Sequence, residues 1–208
     1  MSILIHDPTI AGPLLEQRRQ SGLDRLDEVW EGVYVMSPLA DNEHQSLVTE
    51  LASILASEID WKGLGRTLAG ANVSDRRDNW KQNFRIPDVL VFLRDTSAVD
   101  CGTHWFGGPE FGIEVVSPGD RTLNKLEFYN HVGTRELLII DRDPWVLSLY
   151  RRSVTSHLEI AAVCPIDNPA EIISEIVPLR FSLEPTRSAI RISNRDGRLL
   201  RDIPIRSN

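Results

Sequence analysis

Lysine and cysteine are scarce in this sequence, and it has no long apolar run. The two cysteines, Cys101 and Cys164, stand far apart, which excludes a disulfide framework. His104, His131 and His157 do not fall at zinc-type spacings from them. No stretch of eighteen apolar residues occurs, so no membrane span is expected. The opening MSILIHDPTI lacks a basic stretch followed by an apolar core, so no secretory signal is visible and a reduced, cytoplasmic protein is expected. There is no phosphate-cradling glycine loop, and no nucleophile-elbow pattern surrounds Ser117. Excess positive charge is lacking too. The net charge is -7, which argues against broad electrostatic binding of nucleic acid. From Arg180 onward, however, seven Arg face Glu184, Asp196 and Asp202, a balance of +4, leaving -11 for the preceding residues. An acidic body still permits phosphate chemistry when a bound cation bridges carboxylates to an anionic substrate.

The 208 residues, 41% hydrophobic and 25% charged, suit one globular domain. A short helix is predicted around Leu14–Arg19. Glu28–Trp30 and Val33–Met36 flank Glu31-Gly32 as a hairpin. Asn42 with Gln45 resembles a capping box, and Leu47, Val48, Leu51, Ile54, Leu55 and Ile59 form a 3.6-period stripe, which predicts an amphipathic helix. Extended pieces follow at Arg66–Ser74, Arg85–Leu93 and Phe111–Ser117, with an irregular stretch over Asp95–Pro109. Thr122–His131 reads as a helix stopped by Gly133, and strands follow at Arg135–Asp141 and Val146–Arg151 around Asp143-Pro144. Shorter strands are expected at Leu158–Val163 and Glu171–Val177, and a final hairpin at Ala189–Ser193 and Arg198–Ile205. This order predicts an α/β (α+β) fold, a mixed central sheet flanked by helices with accessory hairpins. The expected division is an arm over 1–23, a main domain over 24–183 and a basic hairpin extension over 184–208.

Two carboxylates stand out. Asp88 opens the run Val89-Leu90-Val91-Phe92, where a strand enters a core, and Glu114 sits mid-strand between Ile113 and Val115. Charge is costly there unless it is paired or binds a metal. Each has an ordinary alternative, a strand-end Asp after Pro87 and an edge-strand Glu facing water. If they converge, they form a hard-oxygen site suited to Mg²⁺, with Mn²⁺ as a substitute.

The segments EVWEGVYVMSP, DNEHQ, RIPDVLVF, GIEVVSPGDR, NKLEFYNHVGTRELLIID and VLSLYR resemble the Uma-two family, within the PD-(D/E)xK nuclease superfamily. The resemblance spans about Asp24 to Leu183. It implies a restriction-endonuclease-like fold and a magnesium-dependent phosphodiesterase site at Asp88 and Glu114, with DNA as partner and a homodimer as assembly. The superfamily places a lysine two residues after the glutamate, where this chain has Val116. The family motif points instead to Lys125, on the next helix, with Tyr129 one turn later. A surface lysine and a packing tyrosine are the alternatives. The resemblance also suggests Glu43 and His44 at the start of the first long helix, and Glu31 at the hairpin turn. For these the alternatives are a solvated helix-start carboxylate, a core histidine and a turn residue. Three functions remain open: a metal-dependent endonuclease, a catalytically silent nuclease fold that binds or assembles, and a hydrolase of a small phosphate ester.

Overall fold

In the computed structural model, residues 3–5, 8–37, 39–117 and 121–206 are described, with side chains from Gly12 onward. Strand β1 (Ile3–Ile5) and helix α1 (Pro8–Ser21) lead into a hairpin of β2 (Glu28–Trp30) and β3 (Val33–Met36). Helix α2 (Asn42–Glu58) follows, then β4 (Gly65–Ala69), β5 (Val73–Ser74) and β6 (Phe84–Arg85). Next come β7 (Val89–Leu93), β8 (Val99–Asp100), β9 (Trp105–Phe106) and β10 (Phe111–Val115). A 3-10 turn at Thr122–Lys125 starts α3 (Leu126–Val132). Then β11 (Glu136–Arg142), β12 (Trp145–Arg152) and β13 (Leu158–Pro165) precede β14 (Ile172–Ile173), β15 (Leu179–Glu184), β16 (Ala189–Asn194) and β17 (Leu199–Pro204).

The central sheet runs β13-β12-β11-β10-β7-β4. Within it β10 and β11 are parallel and joined through α3, while β7 and β4 pair antiparallel beside them. A second sheet, β1-β3-β2-β6-β5-β9-β8, lies alongside, and a third, β14-β15-β16-β17, packs against β12, β13 and α2. The fold is therefore the expected mixed α+β architecture.

Side-chain alternation explains the double-sided apolar runs. On one face Val89, Val91, Phe111, Ile113 and Val115 pack against Leu47, Leu51 and Leu55 of α2 and Ile59 just after it. On the other, Leu90, Phe92, Leu137 and Ile139 pack against Phe128 and Tyr129 of α3. Each such buried side chain contributes about 1.5–3 kcal/mol relative to exposure. The final hairpin does not stand apart, for Ile190, Ile192 and Ile203 join the α2-side core with Phe181.

Several boundaries differ from expectation. The residue capping α2 is Asp41, whose carboxylate accepts from His44 N at 2.8 Å, so Asn42 is already inside the helix. Asp41 is fixed there by Arg142, which donates to both of its oxygens at 2.9 and 3.0 Å. Helix α1 runs on both sides of Leu14–Arg19, with Pro13 inside it. The expected strands Arg66–Ser74 and Arg85–Leu93 each divide between two sheets, β4 from β5 and β6 from β7. Gly70, at φ 62°, makes the first break, and Pro87 lies in the second, where it cannot donate to a ladder. The stretch Asp95–Pro109 contains two short strands, β8 and β9. Of Glu171–Val177 only Ile172–Ile173 is strand. Pro38, which reads in the sequence as the end of the hairpin, and Pro118-Gly119, which reads as the stop of the Phe111–Ser117 strand, lie outside the described residues. Among the described residues no helix is long and apolar enough to cross a membrane.

Candidate functional site

The break at Pro87 brings Asp88 to the seam between the first two sheets. The carboxylate of Asp88 accepts from Val115 N at 2.7 Å, which ties β7 to the end of β10. Its other oxygen lies 3.3 Å from Nε2 of His44. His44 is buried on the first turn of α2, and its Nδ1 has no hydrogen-bond partner among the described residues. A hydrogen bond from Nε2 would place the proton there and leave Nδ1 bare.

Glu114 has the opposite parity to Ile113 and Val115, so it points to the α3 side of the sheet. There Lys125 Nζ approaches its two oxygens at 3.1 and 3.0 Å, and Tyr129 Oη donates to Oε1. Lys125, Glu114 and Tyr129 are all buried. Burial pushes the Glu114 carboxyl up to about 8; Lys125 opposes the rise, and repulsion from Asp88 and Glu28 adds to it. Burial likewise raises the Tyr129 hydroxyl, with Glu114 adding to the shift.

The residue that the sequence reading passes over is Glu28. It lies on β2, across the seam, 3% exposed. Its Oε1 accepts from Ile86 N at 2.8 Å and stands 3.0 Å from Lys125 Nζ, while Oε2 accepts from Trp30 Nε1 at 2.7 Å. Lys125 is therefore held between Glu28 and Glu114, which come from different sheets. A faint signal existed, because strand alternation puts Glu28 on the same face as Trp30. The eye goes instead to Glu31 at the turn.

Glu31 is not part of this cluster. With φ at 47°, it turns outward to Arg76 at 2.7 Å and to Asn83 Nδ2 at 2.5 Å. Glu43 also turns elsewhere, lying 3.4 Å from Arg142 and accepting from Arg206 N at 2.9 Å. Arg142 in turn donates to Val116 O at 3.1 Å.

Glu28, His44, Asp88, Glu114 and Lys125 line one cavity of about 60 Å³, which suits an ion or a few waters. Asp88 is its more open member, with its side chain 19% exposed against 3% for Glu114. Glu28 and Asp88 outnumber the Lys125 ammonium, and Glu114 adds a further negative charge as pH rises through about 8, so the cavity has excess negative charge. Among the described residues no three carboxylate, imidazole or thiolate groups are placed to enclose an ion by themselves. A Mg²⁺ ion does not require them, since it is commonly held by one or two carboxylates and completes its shell with water and phosphate oxygens. The donor set therefore fits such an ion in chemistry and charge.

The family model named Uma2, described as a putative restriction endonuclease, matches residues 16–186. No curated protein matched the chain. A solved structure similar to it is a putative nuclease belonging to DUF820 from Anabaena variabilis ATCC 29413. The two share 18% identity and a TM-score of 0.52, over 64% of this chain and 75% of that one. At that identity the likeness concerns the fold.

Proposed function

We propose that this chain, which belongs to the Uma2 family, is a metal-dependent endonuclease that hydrolyses DNA phosphodiester bonds at the Asp88–Glu114–Lys125 cavity. The observation that carries this reading is the convergence of two carboxylates from neighbouring strands and a buried lysine on one small cavity. Asp88 and Glu114 would hold Mg²⁺, or Mn²⁺ in its place. When bound, such an ion lowers the pKa of water and screens charge on a scissile phosphate. Asp88 is positioned for this by Val115 N and His44. Tyr129 fixes one oxygen of Glu114, and Glu28 holds Lys125 at the cavity wall. The Lys125 ammonium then lies where it offsets negative charge developing on phosphate oxygens.

One observation favours a second reading. Both oxygens of Glu114 are already engaged by Lys125 and Tyr129, as in a nuclease fold kept for binding rather than cleavage. Incubation with plasmid and single-stranded DNA in Mg²⁺ and then Mn²⁺, beside Asp88→Ala and Lys125→Ala, separates the two. Cleavage that disappears in both variants is expected. Cleavage unchanged in Asp88→Ala would sink the nuclease reading. No cleavage, together with no calorimetric metal binding, would favour the binding module.

A homodimer belongs to the same reading. Its support is β13, an edge strand that exposes Ile160 and Val163. A clean monomer in sedimentation at micromolar concentration would count against it.

A further inference from the structure

A chain of polar contacts leads from the end of β11 to the carboxylate cavity. Arg142 is the last residue of that strand, 8% exposed, and it shares the parity of Leu138 and Ile140, whose side chains face α2. Its guanidinium therefore comes up against the first turn of α2. Nε donates to Val116 O at 3.1 Å, and Nη1 donates to both oxygens of Asp41 at 2.9 and 3.0 Å and lies 3.4 Å from Glu43. One planar group with separate donors thus joins the end of β10 to the start of α2.

Both ends of this bridge lead to Asp88. Val116 N donates to Ile140 O at 2.9 Å, which fixes the end of β10 on β11. The preceding residue, Val115, donates its N–H to one Asp88 oxygen at 2.7 Å. At the other end Asp41 accepts from His44 N at 2.8 Å, and Nε2 of His44 lies 3.3 Å from the second Asp88 oxygen. The Asp41 carboxyl is held below its ordinary value, first by His44 N and then by Arg142. His44 Nδ1 has no hydrogen-bond partner among the described residues, so no bond on that side of the ring sets its angle. The ring goes where the first turn of α2 carries it.

We infer that Arg142 is a positioning residue for the carboxylate cavity, holding the first turn of α2 at the distance from β10 at which His44 and Val115 N grip the Asp88 carboxylate between them. Arg142 lies outside the lining of that cavity, so it acts through these two residues. The inference rests on the nuclease reading for its role, because the angle of Asp88 matters there to a bound ion. Groups that orient a metal ligand in this way are worth about ten- to a hundredfold in metal affinity.

The test uses the full chain carrying Arg142→Lys, which keeps the charge but lacks the fork that serves Val116 O and Asp41 together. Calorimetry with Mg²⁺ and Mn²⁺ should show affinity lowered by about tenfold or more. Arg151→Lys is the control, since Arg151 pairs with buried Glu136 at 2.7 Å and neither residue lines the cavity. It should lose stability with metal affinity unchanged. A second readout needs no metal. In ¹⁵N spectra of the metal-free chain, at a fixed pH well above the ordinary imidazole range, wild-type His44 should carry its proton on Nε2. Arg142→Lys should move the two ring nitrogens toward a common average, and Arg151→Lys should leave them apart. If Arg142→Lys does not fold, Asp41→Asn takes its place, because asparagine still caps the helix but gives up the charged pair. It should lower metal affinity severalfold and shift the His44 signals in the same sense. Unchanged metal affinity, unchanged His44 signals, an equal loss of affinity in Arg151→Lys, or a wild-type proton on Nδ1 would each overturn the inference. If wild type binds neither ion, the metal-dependent reading fails on its own, and the His44 spectra still decide whether Arg142 sets the grip on Asp88.

Discussion

Replacing Lys125 by Met tests the clasp between the two sheets most directly. Lys125 Nζ lies 3.0 Å from Glu28 and 3.0 Å from Glu114, each of whose side chains is 3% exposed. Methionine keeps much of the volume and removes the charge, so two buried carboxylates lose their shared cation. Breaking a buried pair by deleting one partner costs about 3–5 kcal/mol. That cost has a ceiling, because a carboxylate can take up a proton instead of staying charged. Glu114 is already raised to about 8 in the folded protein, chiefly by burial, against 4.5 for its ordinary value. Lys125 holds it down more than the Tyr129 hydrogen bond does, so the variant should raise it further. A carboxyl raised on folding stabilises the fold below its unfolded pKa and loses that contribution as pH rises through its folded pKa. Wild type therefore loses the Glu114 contribution between about pH 4.5 and 8, and the variant goes on losing it at higher pH. Urea unfolding should show a modest deficit for Lys125→Met at pH 6 and a larger one at pH 9. Adding Glu114→Gln should recover part of the loss at pH 9, since the pair would no longer hold an uncompensated charge. A deficit under about 1 kcal/mol at pH 9, or one that does not change with pH, would refute the burial and pairing assigned to this cluster.

Tyr129→Phe removes the hydroxyl that donates to Glu114 and should cost about 1–2 kcal/mol in urea unfolding, with near-native circular dichroism. Equal stability would mean that the bond contributes nothing. Arg142→Met should cost about 2–3 kcal/mol, because Asp41, Glu43 and Val116 O lose a shared donor. Hydrogen exchange at the start of α2 should rise with it, and unchanged protection there would contradict the capping role. Asp88→Asn should weaken Mg²⁺ binding in calorimetry at least tenfold while leaving the thermal transition nearly unchanged. Retained affinity would move the ion elsewhere.

The helix over Asn42–Glu58 is legible from its 3.6-residue stripe, and the strands Val89–Leu93 and Phe111–Val115 from their short apolar runs. Two-sided burial was legible in the apolar run after Asp88. The division of Arg85–Leu93 between sheets was not, since Pro87 reads equally as a strand start or a crossing point. The meeting of Glu114 with Lys125 and Tyr129 was legible through the family motif, with a surface lysine and a packing tyrosine as the alternatives. The turn of Glu43 toward Arg142 and Arg206 depends on residues about a hundred positions or more away, which no local pattern carries. Glu28 escaped for a related reason. Its partners, Ile86 N and Lys125, become neighbours only once the two sheets dock.

The crossing at Pro87 also bears on how the molecule would lose its organisation. Ile86, on one side of it, is bonded to Glu28 of the second sheet; Asp88, on the other, is bonded to Val115 of the central sheet. The cavity exists only while both sheets remain docked, so a slight parting of them would scatter its charges with every strand still paired. Warming should therefore erode any reaction at this cavity some degrees before the secondary structure melts, and the gap between those temperatures would measure how firmly the seam is closed.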